Sequence, residues 1–239
     1  MAIIYEPRGK AAEYSPLAAN IYRGCSHGCV YCYAPSATYR ERSVFHGRPE
    51  PRRNFMEELK RDLKKYRGDE RPVLLCFTTD PYQPLDVTAQ LARHTIVALA
   101  DNGNAVRILT KGGMRAARDF DVMASCDCEF GATLTFMDDA RSAEWEPAAA
   151  APTDRIAALR AAKSNGIRTW ASLEPVIDTE EVYKIIRATH EFVDLYKVGK
   201  LNYHPRAKAI DWHRFRIDVE SLLAFLGKDF YIKDDLRKF

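Results

Sequence analysis

Apolar residues along this chain fall into two alternating patterns. Short, mostly apolar runs at Leu17–Tyr22, Val73–Phe77, Ala105–Thr110, Glu129–Phe136, Ile167–Leu173 and Phe192–Val198 have the length expected of strands buried on both faces of a parallel sheet. Between them, apolar positions recur three or four residues apart, the stripe of an amphipathic helix. Phe55, Leu59, Leu63 and Tyr66 mark one over 54–67; Ala92, Ile96 and Leu99 mark the next; Arg115–Ala124 is a third. Thr153 is the expected cap of a fourth carrying Ile156 and Leu159 and ended by Asn165-Gly166, followed by one with Val182, Ile185, Ile186 and Thr189 and a last with Phe215, Val219, Leu222 and Leu226. Six strands alternating with six helices, at about the thirty-residue spacing of a βαβ unit, predict an α/β fold with right-handed crossovers and a curved parallel sheet. Six units rather than eight predict a partial (β/α)6 barrel of the TIM type. Phe230–Ile232 adds a short edge strand. The expected organisation is one domain over 1–239: an extended lead-in at 1–16, where Pro7, Gly9 and Pro16 break any period, a barrel core at 17–204, and a helix and tail at 205–239.

Composition narrows the classes without choosing among them. With 239 residues and 46% hydrophobic content, the chain can bury one substantial core. No run approaches the roughly 18 apolar residues of a membrane span, so the expectation is a cytoplasmic protein with no membrane partner. The net charge of +3 is too small to indicate nucleic-acid binding by itself. One stretch, Tyr39–Arg48, interleaves arginines with aromatics as phosphate and base contacts require, although a solvated connection has the same composition. Met137–Pro152 is a long connection after the fourth strand and is expected to be a loop on the active face that serves as a lid.

The chemistry is concentrated in one place. Cys25, Cys29 and Cys32 follow the first strand at the spacing C-x3-C-x2-C, three of the six cysteines within eight residues, with Gly24 and Gly28 allowing a tight loop. The other ends of the predicted strands also carry polar groups, as α/β folds require of an active face. Three thiolates leave one position of an inorganic centre vacant, whereas structural zinc wants four protein ligands. A zinc site recruiting His27 is the alternative, although His27 is crowded between Cys25 and Cys29. Disulfides are not expected, because no apolar signal segment opens the chain. Cys126 and Cys128 are expected to be packing or turn residues rather than an auxiliary cluster.

These residues resemble the radical S-adenosylmethionine (SAM) enzymes, whose signature is this spacing with an aromatic, here Tyr31, before the last cysteine. Tyr31 and Tyr33 flanking Cys32, with Thr79-Asp80-Pro81-Tyr82-Gln83 further on, resemble the spore photoproduct lyase-like subgroup, over roughly residues 20–203. The resemblance implies that Cys25, Cys29 and Cys32 hold a 4Fe-4S cluster in the loop after the first strand. SAM would chelate the open iron and be cleaved reductively to a 5'-deoxyadenosyl radical that abstracts hydrogen. It further implies that Tyr31 contacts adenine and that Thr78, Thr79 and Asp80 meet the methionyl amine, with Lys111 at the carboxylate. Thr135 is a candidate for the ribose and Ser172 a further cofactor-binding candidate. Tyr33, Glu174 and Cys76 are the catalytic candidates. Asp80 has an ordinary alternative as the capping residue of an Asp-Pro turn, and Glu174 as a partner of Arg155 or Arg168. In the photolyase of the subgroup a cysteine near the end of strand two returns a hydrogen atom; here Thr78 and Thr79 lie near that place, and strand alternation would put Cys76 on the same face as Thr78. The expected substrate is a nucleobase or nucleotide different from that of the photolyase, with a peptide or small metabolite as the alternative. An external electron donor such as flavodoxin or ferredoxin is the expected partner.

Overall fold

In the computed structural model, which describes residues 2–239, the apolar runs form one eight-stranded sheet in which each strand pairs with the next in sequence. The strands are β1 (Ile4–Tyr5), β2 (Leu17–Ala19), β3 (Val73–Leu75), β4 (Val106–Thr110), β5 (Cys128–Thr133), β6 (Arg168–Val176), β7 (Leu195–Lys200) and β8 (Asp229–Ile232). All neighbours from β2 to β8 are parallel, and only β1 runs antiparallel to β2. The helices that return the chain include α1 (Phe55–Leu63), α2 (Leu91–Asp101), α3 (Phe120–Ala124), α4 (Asp139–Trp145), α5 (Pro152–Ser164), α6 (Thr179–Thr189) and α7 (Trp212–Phe225). This is the partial α/β barrel that the alternation of periods predicts.

The two faces of the sheet carry different chemistry. Val106, Ile108, Phe130, Ala132, Ala171, Tyr196 and Val198 point outward into the core shared with the helices. Tyr14, Ala18, Leu74 and Trp170 form a smaller inner cluster inside the curve. Gly131 is required there: a Cβ would stand 2.2 Å from the Trp170 ring.

Several expected boundaries are corrected. The lead-in is not merely extended chain: Ile3 and Ile4 are fully buried and β1 pairs with β2, because a short apolar pair gains both burial and a backbone ladder at an otherwise open edge. The first strand stops at Ala19, and Tyr22–Arg23 instead pairs antiparallel with Glu50–Pro51 in a separate ribbon. The first helix ends at Leu63, before the expected Arg67, and the strand expected over Phe192–Val198 begins at Leu195 and runs to Lys200. Met137–Pro152 contains the helix α4. Thr153 does not cap α5; the cap position is Ala151, Pro152 takes the first turn, and the Thr153 hydroxyl donates to Asp139. Phe230–Ile232 does form the edge strand, within β8.

Candidate active site

The cysteine loop leaves the sheet after β2 and is held by its backbone. Cys25 N donates to Phe45 O at 3.1 Å, His46 Nδ1 lies 2.8 Å from Cys25 O, and Gln83 bridges Ser26 N and Gly24 O at 3.1 and 3.2 Å. Gly24 is needed at this crossing: its φ is +84° and a Cβ would lie 2.5 Å from Phe45 O. The Arg42 guanidinium spans the other end of the loop, donating to the carbonyls of Cys29, Val30 (2.9 Å) and Cys32 (3.2 Å).

From the far side the loop is fastened to the segment expected to be a lid. Val30 N donates to Trp145 O at 2.8 Å and Ala148 N donates to His27 O at 3.1 Å, so 145–148 is part of the site wall. Glu146, which sequence reasoning passed over, is fully buried there. It accepts from Tyr31 OH and pairs with the fully buried Arg155 at 2.6 Å. Arg155 also donates to Ala150 O and Thr133 O, tying α5 and the end of β5 to the same carboxylate. Burial would raise the Glu146 carboxyl, but the Arg155 and Lys111 charges outweigh it and hold it below the usual range.

Lys111 follows β4 and reaches the loop, its ammonium 5.7 Å from the centre of the Tyr31 ring. Burial disfavours its charge, yet the negative charges of Glu146 and of Cys29 in its thiolate form reverse that and raise its pKa. Burial pushes Cys29 up to about 11 and also raises Cys25 and Cys32, so the free loop holds protonated thiols at neutral pH.

Asp80 is a strut between strand ends. Its carboxylate accepts from Tyr82 N (2.8 Å), Thr110 Oγ1 (2.6 Å) and Lys111 N (2.6 Å), with His27 Nδ1 at 3.5 Å. The Asp-Pro turn reading is therefore realised, and these donors consume most of its acceptor capacity. Thr78 N and Phe77 N are held by Asn20 Oδ1, which keeps the Thr78-Thr79 turn beside the loop. Thr135 Oγ1 and Ser26 Oγ are buried without a hydrogen-bond partner, as hydroxyls awaiting a polar ligand would be.

His27 does not join the cysteines in a zinc cage. It is 1% exposed, lies between Asp80 and Arg115 Nη2 (3.4 Å), and burial pushes its pKa down to about 4. Among the described residues, no three Cys, His, Asp or Glu groups stand as a ready-made metal cage. The donor set nevertheless fits an iron-sulfur cluster: three thiols on a loop shaped by two positive-φ glycines, a lysine beside Cys29, and unpartnered hydroxyls close by in sequence and at a strand end.

Glu174 pairs with neither Arg155 nor Arg168. It accepts from Tyr14 OH and from Lys233 Nζ at 2.9 Å, and Tyr14 OH also meets Ser172 Oγ at 2.8 Å. The Ser172 hydroxyl is thus engaged inside the barrel. Gly199 makes room for this carboxylate, since a Cβ there would come within 2.6 Å of it. Tyr33 is 53% exposed and donates to Phe77 O at 3.1 Å, just past the end of β3. The strand ends at Leu75, Cys76 joins the outer core at 4% exposure beside Thr79, and Phe77 packs on the inner Tyr14 instead. Cys126 and Cys128 lie at the opposite, N-terminal end of β5, where Cys126 Sγ donates to Val122 O at 3.2 Å.

The curved parallel sheet with a three-cysteine loop on its active face defines a class, and the comparisons agree with it. Residues 19–193 match the model of the Radical SAM superfamily, and the chain belongs to that family. Its cofactors are a 4Fe-4S cluster and SAM, and the chain is a radical SAM enzyme. An uncharacterised protein of Methanocaldococcus jannaschii is 29% identical over 185 residues, covering 77% of this chain and 69% of its own length. A second, from Mycobacterium bovis, is 29% identical over 66% of this chain, which spans only 48% of that relative. Among solved structures, a variant of spore photoproduct lyase with bound AdoMet and dinucleoside spore photoproduct aligns over 95% of this chain and 78% of its own, with a TM-score of 0.75 at 12% identity. Streptococcus suis SuiB bound to S-adenosylmethionine aligns over 90% of this chain and 49% of its own, with a TM-score of 0.69 at 13% identity. Among the described residues, no helix is long and apolar enough to cross a membrane.

Proposed function

We propose that this chain carries out radical SAM chemistry on a nucleobase or nucleotide other than a thymine-dimer photoproduct. Cys25, Cys29 and Cys32 are the iron ligands. A cluster held by these three thiolates would supply the electron for reductive cleavage of SAM and so the hydrogen abstraction from the substrate.

The chain's own groups bind and orient. Lys111 carries its charge at the methionyl carboxylate, and the Thr78-Thr79 turn receives the amine. Asp80 positions that turn through its bonds to Thr110 and Lys111 rather than meeting the amine as a free carboxylate. Thr135 offers its unpartnered hydroxyl to the ribose, and Tyr31, fixed by Glu146, sits against the adenine. Loading must release the thiol protons, since burial keeps the free cysteines neutral. Flavodoxin or ferredoxin is the reductant.

The observation that carries the substrate reading is the placement of the thiols and of Tyr33. Beyond the cluster motif, Cys76 is in the outer core and Cys126 and Cys128 lie at the other end of β5, so among the described residues no further thiol stands at the mouth to return hydrogen to a photoproduct. At the mouth itself an exposed aromatic ring, Tyr33, offers a stacking face for a base. The dinucleoside bound by the similarly folded lyase supports the same substrate class. The test is anaerobic cluster reconstitution, reduction with dithionite in the presence of SAM, and measurement of 5'-deoxyadenosine in the parent and Cys29→Ala proteins, with and without nucleotides, oligonucleotides or peptides. Cysteine-dependent formation stimulated by nucleotides or oligonucleotides is expected; stimulation by peptides alone, or turnover of thymine-dimer DNA, would overturn the substrate reading.

A further inference from the structure

One exposed surface remains outside this chemistry. Residues 39–53 carry five arginines against Glu41 and Glu50, a net +3 that equals the charge of the whole chain. Arg23, Arg48 and Arg53 are exposed and have no ion-paired carboxylate among the described residues, whereas Arg71, Arg93 and Arg141 on other faces are each paired. Apolar groups stand among these charges: Tyr39 is 98% exposed, Val30 48% and Val44 41%. Interface-forming surfaces are enriched in this combination of Arg and Tyr with apolar contact.

The surface is built directly on the cysteine loop. The short helix Arg42–Gly47 supplies the Arg42 clasp on the carbonyls of Cys29, Val30 and Cys32 and the Phe45 carbonyl that holds Cys25 N. Val30, itself part of the cysteine loop, is exposed on this surface, so a body resting here touches the loop directly. An electron needs only to reach the cluster that this loop would hold.

We propose that this face, centred on Val30, Tyr39, Val44, Arg48 and Arg53, docks an acidic one-electron carrier protein of the flavodoxin or ferredoxin type. The proposal rests on the reading of Cys25, Cys29 and Cys32 as cluster ligands. One electron leaves the carrier's cofactor and enters the cluster, oxidising the first and reducing the second by one unit; no bond forms or breaks in this chain. Such encounters are small and depend on complementary charge for their rate.

The experiment uses reduced flavodoxin as the probe and follows cluster bleaching by anaerobic stopped flow across a range of salt. The parent is compared with Arg48→Glu/Arg53→Glu and with Arg48→Gln/Arg53→Gln, neither position holding the cysteine loop. Charge reversal is expected to lower the second-order rate by roughly tenfold or more at low salt and to flatten its salt dependence. The Gln pair should fall between, with iron content and reduction by dithionite unchanged throughout. An unchanged flavodoxin rate in the charge-reversed protein would overturn the proposal. So would loss of binding to a labelled single-stranded oligonucleotide while the flavodoxin rate stays at the parent value. A parent that takes up no cluster, and so shows no dithionite bleaching, would overturn the cluster reading itself and is distinguished by that control.

Discussion

Replacing Glu146 by Gln probes the charge network beneath the cysteine loop. The carboxylate and Arg155 both have fully buried side chains, 2.6 Å apart, and Lys111 adds a second cation to the same carboxylate. Gln keeps the size and an acceptor for Tyr31 but removes the only negative charge that this guanidinium is paired with among the described residues. Breaking one side of a buried pair costs about 3–5 kcal/mol, because the remaining charge cannot regain its water. For a chain of this length that corresponds to a melting temperature lower by roughly 6–20 °C. Urea and thermal unfolding of the cluster-free protein measure it, with the exposed neighbour Glu144→Gln as a control expected to stay within about 0.5 kcal/mol. The pH dependence has a definite sign. The folded carboxyl is held below its ordinary value, so its contribution is present above the usual Glu range and is lost as pH falls through the folded value. The gap between parent and variant should therefore close in acid. An Arg155→Met/Glu146→Gln double variant should lose less than the two single losses combined. A loss under about 1 kcal/mol at neutral pH, or a gap independent of acid, would refute the charge-pair account.

Two other perturbations test the fold around the site. Gly24→Ala should cost about 1–3 kcal/mol through its positive φ, and more if the Phe45 carbonyl cannot retreat from the new Cβ; loss of stability and of iron uptake together, read by unfolding and iron assay, is the expected result. Lys197 donates to the carbonyls of Glu13 and Tyr14, and burial, with Arg107 nearby, pulls its pKa down to about 8. Because the unfolded chain binds that proton more tightly, the parent should gain up to about 3 kcal/mol between pH 8 and 10.5. Urea titrations of Lys197→Met should lack this gain, and an equal rise in both proteins would contradict the burial argument.

The alternation of short apolar runs with helical stripes was enough to determine the parallel α/β barrel, because each period follows from local backbone geometry and burial on the outer face. The loop of Cys25, Cys29 and Cys32 was legible for the same reason: its ligands are close along the chain. What the sequence could not show depends on pairings across long separations. Glu146 meets Arg155 and Tyr31 from within a segment that reads as a polar loop, and no local pattern marks a carboxylate that will lose its water. Glu174 finds Tyr14 from the lead-in and Lys233 from the tail, partners 160 and 59 residues away. Cys76 lies one residue past the end of β3, and that it turns into the outer core is decided by packing. Local periods and a compact ligand motif thus specified the fold and the chemistry; tertiary packing alone decided which polar groups are buried together and which arginines stay free to meet a partner.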